Sequence, residues 1–177
     1  MARYNNTIIK DYLKRGNNGK SNADKGKAFE DLICYIFKKI PGIEITLRNH
    51  KNAFHTEEID IAVWNNRKVN GLHFHPNIIL VECKNWSAPV SSIEVSWFGS
   101  KLESRGQSFG ILIANKGITG RPEDLTMAHQ VLSKHLERGR KIILVTSDEL
   151  VTLLETKDVI DLIKTKLCIL AASGTID

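Results

Sequence analysis

The sequence has no long hydrophobic run. Its longest uninterrupted apolar stretch is Leu167 to Ala172, six residues, against the roughly 20 that a membrane-spanning helix needs. A helical span is excluded, and no membrane partner is expected. Cysteine is scarce: Cys34, Cys83 and Cys168 are odd in number, far apart and without a CxxC pair, which argues against a disulfide framework and a zinc knuckle. The opening stretch MARYNNTIIKDYLKRGNNGKSN lacks the apolar core and small-residue cleavage site of a secretory signal, so a cytoplasmic chain is expected. Internal repeats and low-complexity tracts are missing too, which removes solenoids. What is present is ordinary globular material: 177 residues, 42% hydrophobic and 25% charged, enough for one packed domain and too little for a tandem enzyme.

The formal net charge of +5 is informative once it is located along the chain. Residues 1–27 hold seven bases, Arg3, Lys10, Lys14, Arg15, Lys20, Lys25 and Lys27, against Asp11 and Asp24, while the rest balances at 18 of each sign. This reads as a basic N-terminal arm over residues 1–20 ahead of a main domain over 21–177. Nucleic acid is a reasonable partner through phosphate neutralisation, with Lys14, Arg15, Lys20, Lys25 and Lys27 as candidate contacts. A merely solubilising tail is the alternative on charge alone.

Spacing predicts a short helix over residues 4–15 burying Ile8, Ile9, Tyr12 and Leu13, followed by a linker, GNNGKSN. The stretch from Ile8 to Leu13 can instead pack on a second copy of the chain. Phe29, Leu32, Ile33, Ile36, Phe37 and Ile40 recur at helical steps up to Pro41-Gly42, giving a one-sided amphipathic helix. Extended segments starting at Ile43, Glu57 and Asn77 read as a meander. Residues 90–104 return to helical spacing through Val90, Ile93, Trp97 and Phe98, with Gly106 placed to stop the helix. FGILIAN is a buried strand, residues from Pro122 to about Arg138 form a helix with Gly139 beyond its end, and KIILVTS is a fifth strand. Two short helices, near 148–155 and 158–166, close the chain. The order implies an α/β fold: a mixed central sheet of about five strands, antiparallel in the meander and parallel where a helix intervenes, flanked by helices on both faces.

The segment Ile78-Ile79-Leu80-Val81-Glu82-Cys83-Lys84 carries the chemistry. Four consecutive apolar residues require both faces of this strand to be covered, so it lies centrally. Glu82 and Lys84, two apart, then share one face at the strand's end. Upstream, Ile59, Ile61 and Val63 take one face of their strand, which puts Asp60 on the other. If the two segments pair as a hairpin, Asp60 comes beside Glu82, and two converging carboxylates repel unless a cation sits between them. An oxygen-only donor set favours Mg²⁺, with Mn²⁺ as a substitute, over zinc. Lys84 is then placed to orient or deprotonate an attacking water and to offset charge on a phosphate. Glu30, at the edge of the first main-domain helix stripe, is a fourth candidate, although on spacing alone solvated helix charge explains it better.

The stretches GKAFEDLICYIF, EEIDIA, ILVECKNW and, after a helix, GILIANKGIT resemble the PD-(D/E)xK nuclease superfamily, nearest to the catalytic domain of Mrr-like (type IV) restriction endonucleases, over residues 25 to about 150. The resemblance implies a restriction-endonuclease-like fold and Mg²⁺-dependent hydrolysis of DNA, usually leaving a 5′-phosphate. It assigns catalytic roles to Glu30, Asp60, Glu82 and Lys84, and metal ligation to Asp60, Glu82 and the backbone carbonyl of Cys83. The chain departs from Mrr-like patterns in having Thr56-Glu57-Glu58 instead of a Gly-rich lead and Glu82 instead of Gln. A Holliday-junction-type nuclease and an inactive nuclease-like DNA-binding module share the same motif order. Since 177 residues leave little room for a sequence-reading domain, target choice is expected from a partner protein, from the basic arm, or from DNA structure or modification, and a homodimer would place two active centres for cutting both strands.

Other signals carry less. Gly16 to Ser21 fails as a phosphate loop, because the first glycine would have to stand where Lys14 does. His73 and His75 read as a surface loop, Trp97 as core, and Trp86 as a base-stacking or edge-covering residue.

Overall fold

The computed structural model describes residues 1–118 and 127–175. In chain order these form α1 (Asn6–Asn18), α2 (Asn22–Phe37), β1 (Ile43–Lys51), β2 (Glu58–Asn65), β3 (Ile78–Lys84), α3 (Ser92–Ser104), β4 (Phe109–Ala114), α4 (Met127–Glu137), β5 (Lys141–Thr146), α5 (Ser147–Val151) and α6 (Thr156–Ser173). The sheet runs β1-β2-β3-β4-β5 in space as in sequence. β1, β2 and β3 pair antiparallel, while β3, β4 and β5 pair parallel. The expected mixed α/β sheet is therefore present. All six residues of β4 are buried, as are Ile79, Leu80 and Val81 of β3, which requires cover on both faces of the sheet.

Local chemistry sets the element boundaries. Ser21 caps α2 by accepting from Asp24 N, and the Asp24 carboxylate accepts from Ser21 N in return, a reciprocal capping box. The same device, built from Ser91 and Glu94, starts α3. At the β1–β2 turn, Asn52 Oδ1 accepts from Thr56 N at 2.9 Å, and His55 adopts φ +55°. β1 is an open sheet edge, largely exposed, with a register irregularity between Ile45 and Leu47.

Several expectations need correction. The first helix does not end at residue 15 but continues through Gly16, Asn17 and Asn18. At Gly16 a Cβ would lie 2.9 Å from Asn85 Nδ2, so glycine lets that side chain approach the helix closely. Residues 1–20 pack on the rest of the chain: Ile9 is fully buried, Tyr4 N donates to Leu154 O at 2.8 Å, and Tyr4 Oη donates to Ile36 O at 3.1 Å. The last helix runs on to Ser173, stopped by Gly174 at φ 72°. In α3 the buried stripe is Val95, Phe98 and Leu102, so Ile93 and Trp97 face outward, Trp97 with 67% exposure. His75 is buried against the Phe109 ring, centroids 4.0 Å apart, rather than sitting in a surface loop. The predicted start of the fourth helix at Pro122 lies outside the described residues.

Candidate active site

The antiparallel ladder between β2 and β3 stops at the rung joining Ile61 and Val81, although β2 begins at Glu58 and β3 continues to Lys84. The Cys83 amide beyond that rung donates to Asp60 Oδ2 at 2.6 Å. A carboxylate thus takes over from a backbone carbonyl and satisfies a donor that a strand end in the interior cannot leave unpaired. Asp60 and Glu82 are brought to the same end of the sheet, where β3 delivers its last residues.

Glu82 is only 3% exposed. Lys84 Nζ lies 2.9 Å from Glu82 Oε1, as their shared strand face requires. A second ammonium comes from Lys101 on α3, whose Nζ lies 2.9 Å from Oε1 and 2.8 Å from Oε2. Two cations therefore compensate a carboxylate whose desolvation alone would be strongly unfavourable. Burial, reinforced by the Glu82 charge, pushes the Asp60 carboxyl up to about 7, against the pull of the Cys83 amide, Lys84 and Lys101. Lys84 is held above its ordinary value: partial burial opposes its charge, but Glu82 and Asp60 outweigh that. The Cys83 thiol is pushed well up by desolvation and by Asp60, Glu30 and Glu82, which makes it inert as a nucleophile.

Asp60, Glu82 and Lys84 come together; Glu30 does not join them through any hydrogen bond. Its Oε2 accepts from Arg48 Nη2 at 3.3 Å and Asn49 Nδ2 at 3.0 Å, both on β1. Arg48 also pairs with Asp31 at 2.8 Å. Among the described residues no three acidic, histidine or cysteine side chains converge as a metal-holding group; Asp60 and Glu82 are a pair of carboxylates close enough to raise one another's energy.

Lys101 is the residue that sequence reasoning missed. A signal existed: Glu94, Trp97 and Lys101 fall at i, i+3 and i+7 on α3, a stripe about 100° round the helix from Val95, Phe98 and Leu102. Assigning Trp97 to the core hid that face. With Glu57, Glu82 and Lys84, these three line a cavity of about 370 Å³. Trp86, 42% exposed, does not line this cavity but lies against Lys84, whose Nζ is 5.3 Å from the ring centroid.

The basic residues form a second feature. Lys14, Arg15, Lys20 and Lys27 line a groove of about 590 Å³ between α1 and α2, together with Asp11 and Asp24. Lys25 is not among the groove residues; its carbonyl accepts from Asn85 Nδ2 at 2.9 Å, and the same amide donates to Gly16 O at 2.9 Å. Because Asn85 directly follows Lys84, the α1–α2 corner is fastened to the end of the strand that carries Glu82 and Lys84. Asn115, whose amide donates to Lys84 O at 3.0 Å, reaches Asn17 from the other side at 3.3 Å.

Among the described residues no helix is long and apolar enough to cross a membrane. No curated protein matches the chain. The family profile Mrr_cat, restriction endonuclease, matches residues 22–154, a span that takes in α2, the whole sheet and every residue of the acid and lysine cluster. The chain belongs to the Mrr-type restriction endonuclease family, and its domain is a nuclease domain of the PD-(D/E)xK kind.

Proposed function

We propose that the chain is a divalent-metal-dependent endodeoxyribonuclease with Asp60, Glu82 and Lys84 at its centre. The observation that carries this is the meeting of two carboxylates and a lysine from two strands at one end of the sheet. The donors fit a hard cation. They are oxygen only, and Asp60 carries an electrostatic penalty from Glu82 that a positive ion relieves. Asp60, Glu82 and the backbone carbonyl of Cys83 would hold Mg²⁺, or Mn²⁺ in its place, and the cation supplies Lewis-acid stabilisation of charge on the phosphoryl group.

The chain's own residues do the rest. Lys84, kept charged by Glu82 and Asp60, serves better as a donor that orients water and offsets phosphate charge than as a base. The oxygen of water bonds to phosphorus and releases a proton to solvent as the bond to O3′ breaks, and the departing O3′ takes up a proton from solvent, leaving a 5′-phosphate and a 3′-hydroxyl. Glu30 supports the site by fixing β1 through Arg48 and Asn49. Lys14, Arg15, Lys20 and Lys27 contact backbone phosphates, and Trp86, exposed beside Lys84, stacks on a base. Target choice comes from a partner protein or a second copy of the chain.

The test is cleavage of linear duplex and four-way-junction DNA in Mg²⁺ and Mn²⁺. Native protein should cut duplex, and K84M should lose roughly 10²–10³-fold in rate, with D60N losing at least as much and both variants retaining native circular dichroism. Full activity in both variants overturns the assignment; cutting of junctions alone moves it to a structure-specific nuclease.

A further inference from the structure

Glu82 holds two ammonium groups where the strand motif supplies one. Lys84 belongs to the motif and is retained by its spacing on β3 and by the Trp86 ring. Lys101 comes from another element, reaches both oxygens of Glu82 within 2.9 Å, and has a side chain only 14% exposed. A carboxylate engaged in this way has little capacity left for a hard cation unless one partner withdraws. Lys101 is the partner with somewhere to go. It stands on the cavity wall beside Trp97 and Ser100, on a helix that contributes no backbone hydrogen bond to the β2–β3 ladder.

Formal charge gives the exchange a direction. Asp60 and Glu82 against Lys84 and Lys101 sum to zero. Glu57, Glu58 and Glu94 also line the adjoining cavity, so the two positive charges of a divalent ion offset their repulsion of an anion there.

We propose that Lys101 is a positioning residue that stands in for the cation: it holds Glu82 in the ion-free protein, and on ion uptake it turns into the cavity to meet a substrate phosphate. The proposal rests on the nuclease reading above and deepens it, since it couples metal and DNA binding through one side chain. By linkage, DNA tightens metal binding and metal tightens DNA binding by the same factor.

The test is Mn²⁺ binding to the full chain, followed by electron paramagnetic resonance, without DNA and with a cleavage-resistant phosphorothioate duplex. K101M should bind Mn²⁺ roughly tenfold tighter than native protein without DNA, and should gain less than native protein when the duplex is added. K101R, which keeps a cation on Glu82, should stay close to native in both respects. K101Q, with one amide donor left for Glu82, serves if K101M does not fold. Mn²⁺ binding that D60N abolishes but K101M leaves unchanged, or weakens, overturns the role of Lys101 alone. Mn²⁺ binding indifferent to D60N in both backgrounds brings down the nuclease reading and the Lys101 role with it.

Discussion

Asp60 on β2 accepts the backbone amide hydrogen of Cys83 on β3 at 2.6 Å, at the point where the ladder between the two strands has already ended. One side chain both closes the sheet and presents an acid beside Glu82. Structural and chemical demands on it conflict, because the same burial that makes the bond worthwhile raises the energy of the ionised form.

That conflict sets a pH dependence. The Asp60 carboxyl titrates near 7 in the folded chain against 3.8 when unperturbed, so folding takes up a proton between those values. Its stabilising contribution is complete below the unfolded value and is lost as pH rises through the folded one. D60N keeps an acceptor for Cys83 and cannot ionise. In chelator-treated buffer it should match native stability near pH 4 and exceed it by roughly 3–4 kcal/mol near pH 8. Urea unfolding at the two pH values checks this, and a pH-independent difference would contradict it.

The opposite limb belongs to His75. Burial and the nearby Lys141 charge push its ring down to about 4, below the unperturbed 6.5. The unfolded chain therefore protonates first, and stability present above about 6.5 is lost as pH falls toward about 4. H75F preserves the stack on Phe109 without a titrating nitrogen. Relative to native protein it should gain about 2 kcal/mol between neutrality and pH 5. Asp60 titrates alike in both chains, so thermal melts of the pair at several pH values isolate the histidine.

The groove between α1 and α2 makes a prediction about salt. If Lys14, Arg15, Lys20 and Lys27 each neutralise a phosphate, every alanine substitution should flatten the slope of log K against log salt by about 0.9 for duplex DNA. Fluorescence anisotropy with a labelled duplex in Ca²⁺, from low to moderate salt, reads the slope. N85A is a useful companion because it removes no charge. It leaves the Gly16 and Lys25 carbonyls without their shared donor, costing about 1–3 kcal/mol of stability, while the slope should hold. A slope that no substitution moves would clear the groove of contact with DNA.

Much of this fold was readable in the residues. The runs at Ile59–Val63 and Ile78–Val81 have the periods that distinguish a half-covered strand from a central one, and they located Asp60, Glu82 and Lys84 correctly on their elements. What failed was azimuth on the helices. In α3 two overlapping apolar sets, one through Ile93 and Trp97 and one through Val95, Phe98 and Leu102, compete at similar spacing, and only the tertiary neighbour decides between them. Lys101 was lost with that choice. His75 was misplaced for a related reason: a loop histidine carries no local mark of the Phe109 ring that will cover it. The helical continuation through Gly16 was hidden because turn-forming residues are local signals, whereas the contact with Asn85 is made 69 residues away.

The open rim of the sheet has a bearing on assembly. β1 interrupts its own register between Ile45 and Leu47 and lines its outer half with Arg48, His50 and Lys51, features that discourage a foreign strand from zipping on. Two copies cutting opposite strands of a duplex would accordingly have to join through some surface other than the β1 rim.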